Sequence, residues 1–252
     1  MSPKAPKPEP KGERLQVVLA RFGLASRRGV VGLIESGKVS VNGKPVSEKG
    51  FRVESSDKIE VEGAQMPSTS QAKVYFAFNK PKGVMTTLQD PHAERTVADF
   101  FKDSVERVFP VGRLDRDTTG LLILTNDGEL AFRLTHPKFG VKKRYRVRVR
   151  GVVTDAQIKQ LASGVELEEG RTAPCEITVD ERDRKETRLT VVLKEGKKRQ
   201  IRRIFQKIGY FVQELERLSF GPLSLGELRY GDKRKLLGRE VKALYEATGL
   251  KS

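Results

Sequence analysis

One stretch of the sequence concentrates groups able to do chemistry: VGRLDRDTTGLLILTNDGEL, residues 111–130. Asp115 stands between Arg113 and Arg116, and Asp117 follows two residues later. A carboxylate flanked by guanidinium groups stays ionised, because nearby positive charge favours its charged form. Such a group serves as a nucleophile or a general base. It serves equally as half of a structural ion pair, and spacing alone favours that second role. The apolar run LLILT reads as a buried strand, and loops at the ends of such strands hold functional groups on a rigid base. Asp117, Thr118 and Thr119 have the composition of a capping turn before Gly120, and Asp127 that of a turn aspartate.

Two further segments are dense in cations. In KKRYRVRVR (142–150), Tyr145, Val147 and Val149 alternate with Arg144, Arg146, Arg148 and Arg150. Period-two alternation places a positive stripe on one face of a strand, able to track a phosphate backbone. Tyr145 lies on the apolar face, as a core residue or as an aromatic that stacks on an extruded base. In EGKKRQIRRIFQKIG (195–209), Ile201, Ile204, Phe205 and Ile208 form one helical face. Arg203 points away from it. Arg202 sits about 100° from Ile201, at the core boundary where a guanidinium meets a partly buried carboxylate.

Other chemistries lack their residues. His92 and His136 are far apart, without companions at metal-ligand spacing, and no P-loop, dinucleotide fingerprint or serine nucleophile elbow is present. The single cysteine, Cys175, excludes an intramolecular disulfide. The chemistry is expected to need no metal and no organic cofactor. Lys and Arg total 49 against 33 Asp and Glu, a net charge of +16 that points to nucleic acid as partner. No apolar run reaches the roughly 20 residues of a membrane span and no secretory leader is visible. A cytoplasmic monomer with no membrane contact is the expectation.

These residues must be positioned by two folded parts. Residues 1–12, rich in Pro and Lys, read as a disordered basic tail. Residues 13–62 read as a small α/β unit. Leu15, Val18, Leu19 and Phe22 share a helical face that Gly23 ends, and Ser26 caps a second helix carrying Val30, Leu33 and Ile34. VSVNGKPV then forms a hairpin around Asn42-Gly43, with a strand at IEVEG. Arg27 and Arg28 open the second helix against its dipole, an arrangement suited to phosphate. Residues 63–72 read as a linker. From residue 73 onward, strands at 74–79, 121–126, 143–150, 174–180 and 187–193 and helices at 129–135, 155–163, 197–208 and 239–247 do not alternate regularly. An α+β arrangement with a mixed, largely antiparallel sheet follows.

ASRRGVVGLIESGKVSVNGKPV resembles the RNA-binding module named after ribosomal protein S-four. NKPKGVMTT (79–87), GRLDRDTTGLLILTNDG (112–128), KRYRV (143–147) and GKKRQIRRIF (196–205) resemble, in order and wording, the ribosomal small- and large-subunit pseudouridine synthases. The resemblance implies isomerisation of a uridine in ribosomal RNA without a cofactor. It implies Asp115 as the catalytic aspartate and Tyr145 as the residue stacked on the target base. Arg202 is implied as the cation paired with Asp115, with Ile201 beside it and Arg113 handling the flipped nucleotide. Lys143, Arg144, Arg199 and Arg203, with Arg27 and Arg28 of the front unit, are expected RNA contacts. The wording favours 23S over 16S RNA. The alternatives are a 16S enzyme or a non-catalytic RNA-binding or ribosome-assembly factor.

Overall fold

A computed structural model of the chain describes residues 12–22, 24, 27–66, 72–105 and 107–251, with Arg27 and Arg28 by backbone alone. The expected tail up to residue 11, the helix stop at Gly23, the cap at Ser26 and residues 67–71 of the expected linker lie outside the described residues. The chain divides into two compact units, one ending at Ala72 and one starting at Lys73. No helix among the described residues is long and apolar enough to cross a membrane.

In the first unit, α1 (Leu15–Arg21) buries Leu15 and Leu19, and α2 (Arg27–Glu35) buries Val30 and Ile34. They share a core with β1 (Val39–Val41) and β2 (Ile59–Val61), an antiparallel pair whose four end residues point inward. Asn42 and Gly43 both take positive φ, 52° and 75°, as the tight hairpin turn requires. Ala64–Gln65 adds a short strand beside β2, so residues 64–65 belong to this sheet and not to a linker. Glu13–Arg14 pairs with Arg52–Val53, a short pairing that periodicity could not reveal.

The second unit is built on one sheet, from β3 (Tyr75–Lys80), β4 (Thr119–Thr125), β5 (Lys143–Arg150), β6 (Glu176–Arg182), β7 (Glu186–Leu193), β8 (Val212–Phe220) and β9 (Lys233–Lys235). Their order is β6-β7-β5-β8-β4-β3-β9, and two short strands complete nine. Every pairing is antiparallel except β8 with β4, which run parallel over Glu216–Thr119 and Arg217–Gly120. The sheet is thus mixed and largely antiparallel.

β4 is covered on both faces, which explains its unbroken apolar run. Leu121 and Ile123 pack with α3 (Gly128–Thr135) and α6 (Gly238–Ala247), whereas Leu122 and Leu124 face Phe76, Phe78, Val84 and Leu114. A third cluster joins Val147, Val149, Leu189, Val191 and Leu215 to Ile158 and Leu161 of α4 (Asp155–Ala162) and Ile201, Ile204 and Phe205 of α5 (Gln200–Lys207). Asp127 does more than turn the chain: its Oδ1 accepts the Leu130 amide to cap α3. Its Oδ2, almost fully buried, accepts the hydroxyls of Tyr75 and Tyr245 and meets Lys73 Nζ at 3.0 Å. This fastens α6 to the beginning of the unit.

Strand β8, the long neighbour of β5, carries no apolar alternation. Its Glu214 and Glu216 pair with Arg148 and Arg146 of β5, so charge pairs occupy the face where alternation would be read. Where β8 meets β4, Gly120 has φ 101°, and a Cβ there would lie 2.4 Å from the Arg217 carbonyl oxygen and 2.6 Å from its nitrogen. Gly120→Ala is therefore expected to destabilise the protein by about 3 kcal/mol or more, from the positive φ and the backbone collision together. Urea unfolding of the variant against the wild type checks this.

Candidate active site

The loop between Pro110 and β4 carries Asp115. Its shape is set by the NKPKG segment that follows β3. The Lys80 side chain is fully buried, and its Nζ donates to the carbonyls of Pro81 (3.0 Å), Val84 (2.8 Å) and Arg116 (3.4 Å). The Gly83 amide donates to the same Arg116 carbonyl at 2.8 Å. Thr86 Oγ1 donates to the Leu114 carbonyl at 2.6 Å and accepts the Leu114 amide at 3.2 Å. Residues 114 and 116 are thus held on both sides of Asp115. The Thr118 amide closes the turn onto the Asp115 carbonyl at 3.0 Å. Sequence reasoning quoted this segment without giving Lys80 or Thr86 a role. The available signal was a lysine directly after the apolar strand YFAFN, where burial is costly without partners.

Asp115 opens onto a cleft of about 670 Å³ whose lining includes Arg113, Thr118, Tyr145, Arg199, Ile201 and Leu215. Its side chain is one-third exposed. Tyr145 is half-buried, and its ring packs between two apolar clusters at the cleft wall. Ile201 is buried in α5 beside it. The Thr118 hydroxyl, on the same wall, is buried without a hydrogen-bond partner among the described residues. The sequence-predicted Asp115, Tyr145, Ile201 and Arg113 therefore share one cleft.

The expected contact between Asp115 and Arg202 is not formed. Arg202 Nη2 instead meets Asp117 Oδ2 at 3.1 Å and donates to the Asp117 carbonyl at 3.2 Å, while Nη1 donates to the Val212 carbonyl at 2.8 Å. The cation in ion-pair reach of Asp115 among the described residues is Arg199, whose Nη1 lies 3.6 Å from Asp115 Oδ2 and 3.3 Å from Asp117 Oδ1. Arg199 reaches both from the N-terminal end of α5 by taking φ 51° and ψ 33°, a left-handed conformation uncommon for arginine. Arg202 does lie at the core boundary, its side chain only 11% exposed. Burial works against its charge and Asp117 supports it.

Two expected RNA contacts and the cationic stripe need further correction. Lys143 is buried, its Nζ 5.3 Å from the centre of the Phe220 ring, with no carboxylate in ion-pair reach among the described residues. Arg203 is held by both carboxylate oxygens of Glu169. The stripe on β5 is largely neutralised: Arg146 pairs with Glu216, and Arg148 with Glu186 and Glu214. Arg144 and Arg113 remain exposed, with no hydrogen bond or ion pair among the described residues. The side chains of Arg27 and Arg28 lie outside the described residues. Asp127 is committed to the Tyr75–Tyr245 anchor. No group of three potential metal ligands occurs among the described residues. Cys175 is half-buried and its thiol is pushed up to about 11 by burial, which leaves it unreactive near neutrality.

Residues 74–207 match the family described as RNA pseudouridylate synthase, and residues 13–59 match the S4 domain. The chain is 44% identical to ribosomal large subunit pseudouridine synthase B of Bacillus subtilis, over 92% of this chain and 95% of that protein. The protein of the same name from Pseudomonas aeruginosa is 40% identical over 96% of this chain and 64% of its own length. A crystal structure of a pseudouridylate synthase superposes with a TM-score of 0.66 at 29% identity, covering 92% of this chain and 99% of that one.

The buried lysines give a pH prediction. Burial pushes Lys143 down to about 8, with the positive charge of Arg217 adding to the effect. Burial pushes Lys80 down to about 8 as well, against the pull of Asp117 and Asp115. An unfolded lysine holds its proton to about pH 10.4. Between pH 8 and that value the folded chain binds fewer protons than the unfolded one, so these groups make stability rise with pH. Below pH 8 the full penalty of the buried charge applies. Lys143→Met is expected to be more stable than the wild type at pH 7, with the difference shrinking by pH 10. Urea unfolding of both proteins across that range measures it.

Proposed function

The chain belongs to the RNA pseudouridylate synthase family, and on that premise we propose that it isomerises a defined uridine of large-subunit ribosomal RNA, with Asp115 as the reacting carboxylate. The reading is carried by one observation: an aspartate with a third of its side chain exposed faces a tyrosine and an aliphatic side chain in a cleft, within a chain 44% identical to a large-subunit enzyme along nearly its whole length. The 23S assignment rests on the names of those relatives.

The chemistry is an exchange of bonds within one nucleotide. The C1′–N1 bond breaks, uracil turns, C5 bonds to C1′, the C5 proton leaves and N1 gains a proton. Atoms and electrons balance without a donor or an oxidant. One ionised carboxylate initiates either route, by attacking C1′ or by removing the C2′ proton. Arg199 lies 3.6 Å from Asp115 without a close bidentate grip, so an oxygen of Asp115 is left for the sugar. Asp117 takes up Arg202 and part of Arg199, which limits the positive charge acting on Asp115. Tyr145 offers a flat face for the uracil while it is detached, and Ile201 closes the cleft wall against water. Extruding the base costs a few kcal/mol, which RNA binding by the S4 domain and the cleft rim offsets.

Asp115→Asn keeps the shape of the loop and removes the charge. The variant is expected to form no detectable pseudouridine on an unmodified 23S rRNA transcript while its affinity for that transcript stays within about two-fold. Nuclease digestion with mass detection of pseudouridine, alongside filter binding, reads both. Turnover by the variant at the wild-type rate removes Asp115 from the chemistry. Absence of turnover by the wild type on this RNA points to the assembly-factor alternative or to 16S RNA.

A further inference from the structure

The segment THPKF, which joins α3 to β5, builds an aromatic surface that the reaction does not use. Phe132 is 46% exposed on α3. Its ring centre lies 5.1 Å from that of His136 and 6.0 Å from that of Phe139, the first pair tilted and the second edge-to-face. Phe139 is anchored in the core beneath. Lys138 Nζ sits 4.8 Å from the Phe139 centre and 5.7 Å from the Phe132 centre, with no ion pair among the described residues. Arg133 covers Phe139 at 5.4 Å but is committed to Glu129 and to the carbonyls of Thr248 and Gly249. One cation above this surface is therefore held and one is available.

His136 is also fixed in orientation. Its Nδ1 accepts the Lys138 amide at 3.2 Å, so in the neutral ring the proton is on Nε2, away from this bond. The exposed edge of the ring is a donor. The cluster also borders the cleft. A Cβ on Gly112, a cleft residue, would lie 3.3 Å from Thr135 Cγ2, and Thr135 precedes His136. Arg113, exposed and unpaired among the described residues, follows Gly112 on that rim.

An exposed aromatic in a soluble protein is ordinary when it stands alone. Here two aromatic rings stand with an uncommitted ammonium, a fixed N–H donor and an unpaired guanidinium at the rim of a cleft. Aromatic faces with interleaved cations are the surface on which unpaired nucleotides stack. We propose that Phe132 and His136 form a stacking platform for an unpaired nucleotide flanking the target uridine, with Lys138 and Arg113 on the adjoining phosphates. The proposal rests on the RNA-modifying function above and adds to it the place where the substrate strand leaves the cleft. The position suits it. Once a uridine is extruded into the cleft, its neighbour loses a stacking partner, and an exposed ring at the rim replaces it.

The test uses the full chain and an unmodified 23S rRNA transcript, with filter binding over a series of salt concentrations and initial rates of pseudouridine formation. Phe132→Ala with His136→Ala is expected to weaken binding and raise KM by roughly ten-fold or more, with kcat changed less than two-fold. The loss should be nearly independent of salt. Phe132→Trp should restore most of it, which a purely structural role for the ring would not predict. Lys138→Ala should weaken binding less and flatten the slope of log Kd against log salt by about 0.7–0.9, the contribution of one phosphate contact. Unchanged affinity and KM in the folded double variant overturn the platform, and so does a failure of Phe132→Trp to restore them. If the double variant unfolds, Lys138→Ala decides alone, and an unchanged salt slope overturns the proposal. Binding is read without turnover, so a wild type that forms no pseudouridine on this RNA counts against the function while the platform is still judged by affinity.

Discussion

Two carboxylates two residues apart share two guanidinium groups, and the site depends on how that sharing is resolved. Asp117 takes Arg202 through a side-chain contact and a carbonyl contact, and takes part of Arg199 as well. Asp115 is left with the longer contact to Arg199, at 3.6 Å, and with a third of its side chain in the open. A carboxylate clamped bidentately would be ionised but occupied. One with no cation near it would be less reliably ionised once a substrate excludes water. The division leaves Asp115 with a cation in reach and an open face together.

That arrangement is possible because the loop between β8's parallel neighbour β4 and the preceding Pro110 has little freedom. Lys80 and Thr86 tie its backbone at Leu114 and Arg116, on either side of Asp115. Burying the whole Lys80 ammonium is costly, and the three carbonyls partly offset the lost hydration. The outcome is a loop held at its backbone, with Arg116 Nε adding a bond to the Gly83 carbonyl at 3.3 Å, so that Arg113 and Asp115 need not spend their side chains on holding it. From the other side, the first turn of α5 delivers Ile201 and Arg202, and its N-cap delivers Arg199.

Much of this was legible in the sequence because strong patterns coincide with the elements. LLILT is buried on both faces and reads as a strand without ambiguity. The 3.6-residue spacing of Ile201, Ile204 and Phe205 sets the face of α5 and thereby places Arg202 at the boundary. The same reasoning could not choose Arg202's partner, because residues 115 and 117 lie in a turn and no periodicity orders their side chains. It missed β8 for a related reason. Glu214 and Glu216 are paired with Arg146 and Arg148, and Arg217 is buried against Phe220, so the strand satisfies its neighbours through charge and cation–π contacts where an apolar alternation would have announced it. Lys143 misled in the opposite direction. It belongs to a cation-rich run, yet shares the inward face with Tyr145 and Val147.

These corrections change where RNA affinity should reside. Density of Lys and Arg along the chain points to 142–150 and 195–203, but most cations there are paired with carboxylates or buried. A guanidinium already held by two carboxylate oxygens, as Arg203 is by Glu169, gains little from a phosphate, since one set of charge-assisted bonds is exchanged for another. Counterion release favours cations with no internal partner. Arg113, Lys138, Arg144 and Lys198 have no carboxylate partner among the described residues, and Arg113 and Lys198 line the cleft. The interface of the second unit is thus expected to be sparse in charge and to draw on aromatic contact. The large excess of positive charge over the whole chain then acts mainly at longer range, bringing RNA to the protein before those few side chains position it.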